Sequence, residues 1–206
     1  MGYCFTNTED GDLHVKTHRE ALQKRLGLDA LVFMEQVHGD RIEIITRSSS
    51  APRCDAMLST LPNVGLVVMA ADCIPIVLWD STHNLIGVVH AGRTGTALHV
   101  GQKSVLQMME HFGVNVENIH IAMGPSIGVC CYEVGKEVTQ GLEQCLHVKN
   151  ERYFLDLKKA NEDDFLALGI PQANINISSV CTCCGSGYFS YRREKITGRF
   201  GGVIWQ

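Results

Sequence analysis

Gly65-Leu-Val-Val-Met-Ala-Ala-Asp72-Cys73-Ile-Pro75-Ile-Val-Leu-Trp-Asp80, then Ser81-Thr-His-Asn84, then Leu85-Ile-Gly-Val-Val-His90-Ala-Gly92-Arg93-Thr-Gly95, is the stretch on which the fold turns. Leu66 to Ala71 is a short apolar run rich in Val, as expected of a strand buried on both faces. Ile76–Trp79 and Leu85–Val89 are two more such runs, and the polar break at Asp80 to Asn84 folds them into a hairpin. Pro75 cannot donate to a central ladder, so the first strand is expected to end near Cys73. Cys73 and His90 stand where apolar runs give way to small residues. Gly92 and Gly95 allow the backbone after His90 to turn sharply or approach a ligand.

Outward from this stretch, strands and helices interleave without regular β-α-β alternation. Upstream, residues 18–26 carry helical spacing closed by Gly27, residues 31–34 and 41–46 read as strands, and residues 48–53 as a polar loop. If the strand after Leu31 persists, Met34, Gln36 and His38 share one face. Downstream, the spacing predicts one long amphipathic helix over residues 97–112, capped by Gly113. It predicts further helices over residues 136–146 and 157–168, strands at 119–123 and 175–180, and an extended segment at 153–157. The expected class is α/β (α+β): a single domain spanning residues 1–206, with mixed β-sheets packed by helices.

Composition narrows the function. The chain of 206 residues carries a formal charge of −4 with acids and bases mixed, which excludes the basic stripe of a nucleic-acid binder. No apolar run approaches the roughly 20 residues of a membrane span, and the first residues lack the pattern of a signal peptide. Nine cysteines, odd in number and unevenly placed, suit reduced thiols of a cytoplasmic protein better than a disulfide framework.

Three side chains share a setting: His38, Cys73 and His90 each follow an apolar run and lie close to a Gly or Pro. Two nitrogens and one thiolate give zinc three ligands and leave a fourth position for water or substrate. The plain alternative is a thiol and imidazoles satisfied inside a core. Cys181, Cys183 and Cys184 with Cys130 and Cys131 lack the paired C-x-x-C spacing of a structural zinc, so no second metal is expected there. Arg93, Arg192, Arg193 and Arg199 are candidate anion ligands through their planar forks.

Together, Gln36-Val-His38-Gly39, Ala71-Asp-Cys73-Ile-Pro75, His90-Ala-Gly92, Gly124-Pro-Ser-Ile-Gly128, Cys131-Tyr-Glu-Val-Gly135, Leu155-Asp-Leu157, Asn161, Cys181-Thr182, Ser190-Tyr-Arg192-Arg193 and Thr197-Gly-Arg199 resemble the laccase-domain family. That family is also called multicopper polyphenol oxidoreductases or peptidoglycan editing factors. The resemblance implies a compact α/β domain with His38, Cys73 and His90 as metal ligands. It implies Cys73 and His90 in catalysis, and Gln36, Arg192 and Arg193 at the substrate; Arg93, where the chain leaves the family pattern, is expected beside them in catalysis as a phosphate ligand. It further implies purine nucleoside chemistry: phosphorolysis of adenosine, inosine and methylthioadenosine, and deamination of adenosine. Nucleoside and phosphate are then the partners of a monomer or small homo-oligomer.

The family's usual His-Ala-Gly-Trp-Arg-Gly is here His90-Ala-Gly-Arg93-Thr94-Gly95, which lacks the Trp and places an Arg one position early. Zinc suits a His₂Cys open site, although copper can occupy it in vitro because raw affinity favours Cu²⁺. The further ligand sets of a multicopper oxidase are not visible. The alternatives are a copper-dependent polyphenol oxidase, a thiol hydrolase or peptidoglycan-editing enzyme with Cys73 as nucleophile and His90 as base, and a binding protein with a structural zinc.

Overall fold

The computed structural model describes all residues 1–206. In chain order the elements are β1 (Gly2–Phe5), α1 (Lys16–Leu26), β2 (Ala30–Phe33), β3 (Ile42–Ile45), β4 (Ala56–Ser59), β5 (Val64–Ala70), β6 (Ile74–Asp80) and β7 (Leu85–Ala91). There follow α2 (Arg93–Ala97), α3 (Val100–Phe112), β8 (His120–Met123), β9 (Glu133–Val134), β10 (Leu146–Lys149) and β11 (Arg152–Leu155). The chain ends with α4 (Leu157–Ala167), β12 (Ile175–Ile177), α5 (Tyr191–Glu194) and β13 (Phe200–Trp205). The strands form a four-stranded sheet β1-β13-β5-β2, a six-stranded sheet β12-β8-β6-β7-β4-β3 and a small sheet β10-β11-β9. Parallel and antiparallel pairs mix in both large sheets.

Side-chain alternation along the central strands explains the layering. Leu66 and Val68 of β5, Val77 of β6, Ile86 and Val88 of β7 and Ile204 of β13 meet in one cluster between the two large sheets. Ile74, Ile76 and Leu78 of β6, with Leu85 and Val89 of β7, face the opposite way. They join Val105 and Met108 of α3 and Phe165 of α4. Val67 and Val203 face outward from the smaller of these sheets onto Leu22 of α1. The order is therefore helix, sheet, sheet, helices, and the central strands are buried on both faces, as their unbroken apolar runs require. Each fully buried Leu, Ile or Val contributes roughly 1.5–3 kcal/mol. An exposed pair such as Lys16–Glu20 contributes at most about 1 kcal/mol, so the apolar alternation decides the fold.

Local signals agree with the elements at several ends. Gly27 closes α1 in the left-handed region at φ 67°, and Asp156 caps α4 by accepting from the Lys159 N–H at 3.1 Å. The β6–β7 hairpin pairs Asp80 with Leu85 across the polar break. No helix is long and apolar enough to cross a membrane.

Three expectations fail. The helix expected over residues 97–112 is two helices, broken at His99 with φ 57°. Each piece is pinned to α4 separately, by Asn161 Nδ2 donating to Thr96 Oγ1 at 2.9 Å and by His99 Nδ1 against Asp164 Oδ2 at 2.8 Å. Residues 136–146 form two three-residue 3₁₀ turns instead of a helix, because Gly141 takes φ 77° and reverses the chain between them. Leu142 and Cys145 there still reach the helix-side core.

Pro75, finally, lies inside β6 and not beyond the strand end. It is the second residue, one before the ladder to β8 begins at Ile76↔Met123, so its missing N–H breaks little. The strand before it ends at Ala70, ahead of Cys73.

Candidate active site

The ends of β5 and β7 and the beginning of β6 lie at one edge of the two-sheet core. The loops from them, with the β2–β3 loop and the segment around α5, enclose a cavity of about 840 Å³. His38, Cys73 and His90 all line it. Their ligand atoms lie within 4.8 Å of one another, and the two imidazole rings meet edge to face at 4.8 Å between centroids.

Backbone conformation delivers these side chains. The strand does not persist from Met34 to His38; β2 ends at Phe33, and His38 sits in the left-handed region at φ 60°. Asp55, fully buried at the entrance to β4, holds that loop. Its carboxylate accepts the N–H groups of His38 at 2.9 Å and Gly39 at 2.7 Å. The same carboxylate meets Nδ1 of His90 at 2.8 Å, which leaves Nε2 of that ring for the cavity.

Asp72, at φ 91°, turns the chain between β5 and β6. A non-glycine residue held there costs of order 1–3 kcal/mol and persists only where its surroundings over-determine it. Thr182 Oγ1 and the Arg192 N–H both donate to the Asp72 carboxylate at 2.6 Å. Asp72 therefore does not point away from the site as an unbroken strand would require: it lines the cavity, with both oxygens engaged.

Gly92 is the N-cap of α2, and its lack of a side chain has a direct steric reason. A Cβ there would stand 3.0 Å from Cys73 Sγ and 3.4 Å from His38 Cδ2, against two of the three candidate ligands. The donor set, the carboxylate behind His90 and this cleared space together fit a small N/S-bound metal ion.

Electrostatics agree with that geometry. Burial pushes the Cys73 thiol up, but the neighbouring His90 and His38 outweigh it and bring it down to about 6. Burial likewise opposes charge on His90, yet Cys73 and Asp55 raise it to about 9. Both shifts run in the same sense, each group favouring the charged form of the other. The Asp55 carboxyl, which burial would raise, is held below its usual value by His90 and by the Gly39 and His38 N–H groups.

The arginines and Gln36 separate. Arg93, the first residue of α2, lines the cavity and its guanidinium has no protein hydrogen bond or ion pair. Arg192 also lines it, stacked over Tyr132 at 5.2 Å, with Nη1 donating to the carbonyls of Cys131 at 3.1 Å and Glu133 at 2.9 Å. Arg193 does not line it. Its guanidinium donates to the carbonyls of Thr182, Gly185 and Tyr188, which fastens the loop before α5. Gln36 is at the wall, but both ends of its amide are engaged by the backbone of Met69, at 2.8 and 2.9 Å.

Lys195 and Arg199 complete the cationic side of the cavity. Asp55 and Lys195 escaped the sequence reading, and Thr182 entered it only as part of the Cys181-Thr182 motif. A buried acid directly before the apolar Ala56-Met57-Leu58 was the one signal that could have marked Asp55.

A sequence profile of the family described as multi-copper polyphenol oxidoreductase laccase matches residues 4–206. Purine nucleoside phosphorylase YlmD of Geobacillus stearothermophilus is 33% identical over 193 residues, covering 84% of this chain and 70% of that protein. Adenosine deaminase RL5, from an unknown prokaryotic organism, is 34% identical over 209 residues, covering 91% and 79%. Among solved structures, hypothetical protein YfiH of Bacillus licheniformis superposes with a TM-score of 0.87 at 32% identity, covering 94% of this chain and 82% of that one. Profile, relatives and fold agree: this chain belongs to the multi-copper polyphenol oxidoreductase laccase family.

Proposed function

We propose that the chain is a zinc-dependent purine nucleoside enzyme that phosphorolyses adenosine, inosine and methylthioadenosine and deaminates adenosine. The observation that carries this reading is the placement of one N/S/N ligand set and one unpartnered guanidinium, Arg93, on the walls of the same cavity. The names of relatives, purine nucleoside phosphorylase and adenosine deaminase, support nucleoside substrates. His38, Cys73 and His90 would hold the ion. When bound, zinc would supply Lewis acidity to negative charge developing on the substrate. Copper could replace it in vitro on the same donors.

The chain's own residues do the rest. Arg93, free of protein partners, holds phosphate by charge-assisted hydrogen bonds, and Lys195 and Arg199 add to the positive field. Arg192 stays partly committed to its two carbonyls and keeps Tyr132 in place beneath its guanidinium. Phosphorolysis joins a phosphate oxygen to C1′ of the ribose while the bond from C1′ to the base breaks; the base leaves with the electron pair and takes up a proton. Asp55 fixes the tautomer of His90. A reducing cytoplasm suits the nine free cysteines.

A second reading has one observation of its own. Asp55, His90 and Cys73 stand in the order of orienting acid, base and nucleophile, the arrangement of a thiol hydrolase. Turnover of a nucleoside panel with and without phosphate, with products identified before and after chelation, separates the two. The zinc reading expects free base and ribose 1-phosphate, lost on chelation and restored by zinc. Turnover that survives chelation and is abolished by alkylation of Cys73 would replace it with the hydrolase.

A further inference from the structure

A second cluster of metal-capable side chains lies outside the cavity, in two loops that are distant in sequence. The sulfurs of Cys130, Cys131, Cys181 and Cys184 all lie within 4.8 Å of one another. Cys184 Sγ is 3.5 Å from Cys130 Sγ and 3.3 Å from Cys131 Sγ. For four thiolates around zinc at about 2.3 Å, the sulfurs of a regular tetrahedron would be about 3.8 Å apart, so these side chains need only small rotations. The expectation of no metal here rested on missing C-x-x-C spacing. Cys181-Thr-Cys-Cys184 does supply one such half, and Cys130-Cys131 faces it from the other loop.

We infer that Cys130, Cys131, Cys181 and Cys184 form a tetrahedral thiolate site for a structural zinc ion. The surroundings are built for a soft cation. The Gly128 N–H donates to Cys181 Sγ at 3.2 Å, the kind of contact that orients a ligand sulfur and offsets its charge. Gly128 also lies close against the cluster: a Cβ there would stand 3.3 Å from both Cys130 Sγ and Cys181 Cβ. Four protein ligands leave no open position, the mark of a structural site. Cys183, in the same loop, is not part of the set.

Such a clip would brace one wall of the cavity. The Cys181 loop carries Thr182, which donates to Asp72, and the Cys131 carbonyl accepts from Arg192. Joining the two loops fixes both contacts at once. Besides the four sulfurs, the Ser126↔Cys181 bridge and the Gly128 contact join the two loops.

The test is metal analysis of the full-length protein purified without chelator, beside Cys73→Ser and Cys184→Ser. Wild type should hold two zinc ions per chain, and each variant one. The metal-free Cys73→Ser protein should bind Co²⁺ with the intense visible and near-ultraviolet bands of tetrahedral thiolate coordination. The double variant Cys73→Ser/Cys184→Ser should lack those bands. If Cys184→Ser is poorly folded, Cys130→Ser read by the same cobalt titration serves in its place. Unchanged zinc content in folded Cys184→Ser or Cys130→Ser would overturn the inference. So would a disulfide between the two loops found by mass spectrometry in freshly isolated wild type without zinc. These results do not depend on catalytic turnover, so they stand or fall separately from the nucleoside reading.

Discussion

The carboxylate of Asp55 bonds Nδ1 of His90 at 2.8 Å and, with its two oxygens, the backbone N–H groups of His38 and Gly39. One buried acid therefore sets both imidazoles of the candidate metal site. It determines the tautomer of one ring and the backbone conformation that carries the other.

Asp55→Asn keeps the shape of that anchor and removes its charge. Outer-shell partners of this kind typically change metal affinity by about 10–100-fold. Zinc affinity, read by competition with a chromophoric chelator, is expected to fall by that factor while circular dichroism stays unchanged. Unaltered affinity would mean that Asp55 serves only the loop.

Gly92→Ala places a methyl group 3.0 Å from Cys73 Sγ. The backbone there, φ −78° and ψ −179°, is open to alanine, so the cost falls on the site and not on the chain. Overpacking costs typically about 1–3 kcal/mol, and zinc binding should weaken roughly five- to hundredfold. A crystal structure with Cys73 rotated away from His38 and His90 is the expected outcome; an undisturbed cluster would contradict the steric argument.

Arg93→Ala and Arg193→Ala should behave differently. Losing a charge-assisted contact costs about 1.5–3 kcal/mol, so Arg93→Ala should lower phosphate-dependent kcat/KM roughly ten- to hundredfold and leave adenosine deamination less affected. Arg193→Ala releases three carbonyl acceptors of the loop before α5, none of them on a residue that lines the cavity. It should lower the melting temperature first. Equal losses of phosphorolysis at equal stability would return Arg193 to the substrate.

The β6–β7 hairpin carries a pH dependence of its own. Asp80 is buried and accepts from the Thr82 N–H at 2.7 Å, with His83 Nδ1 at 2.6 Å. Burial opposes its charge, but His83 and Thr82 outweigh burial and hold the carboxyl below its usual value. A depressed carboxylate contributes stability that is complete above its unfolded pKa of about 3.9 and is lost as pH falls through the lower folded value. Asp80→Asn should be less stable than wild type at pH 7, by roughly 1–3 kcal/mol. Denaturant titrations should show that gap narrowing below about pH 4; a gap independent of pH would assign the loss to packing.

The central strands were legible because burial on both faces leaves unbroken runs of Val, Ile and Leu, and the hairpin because a polar break separates two of them. Residues 136–146 misled because Leu142, the N-cap of the second 3₁₀ turn, and Cys145 at its end reach the core at a spacing that a helix would also give. The helix over residues 97–112 misled because nothing local announces that His99 takes a left-handed conformation; contacts with Asp164 and Asn161 on α4 impose it.

By itself, the sequence determined the class of fold, the central strands and the residue types from which a His₂Cys site can be made, since these follow from side-chain chemistry and short-range periodicity. Only the tertiary structure decided which groups meet. Asp55 lies 35 positions before His90, and Thr182 lies 110 positions after Asp72. The two cysteine pairs, 53 or 54 residues apart where their sulfurs touch, come together in the same way. Hydrogen bonds and metal ligation act over a few ångströms in space, and only folding turns such separations along the chain into contacts.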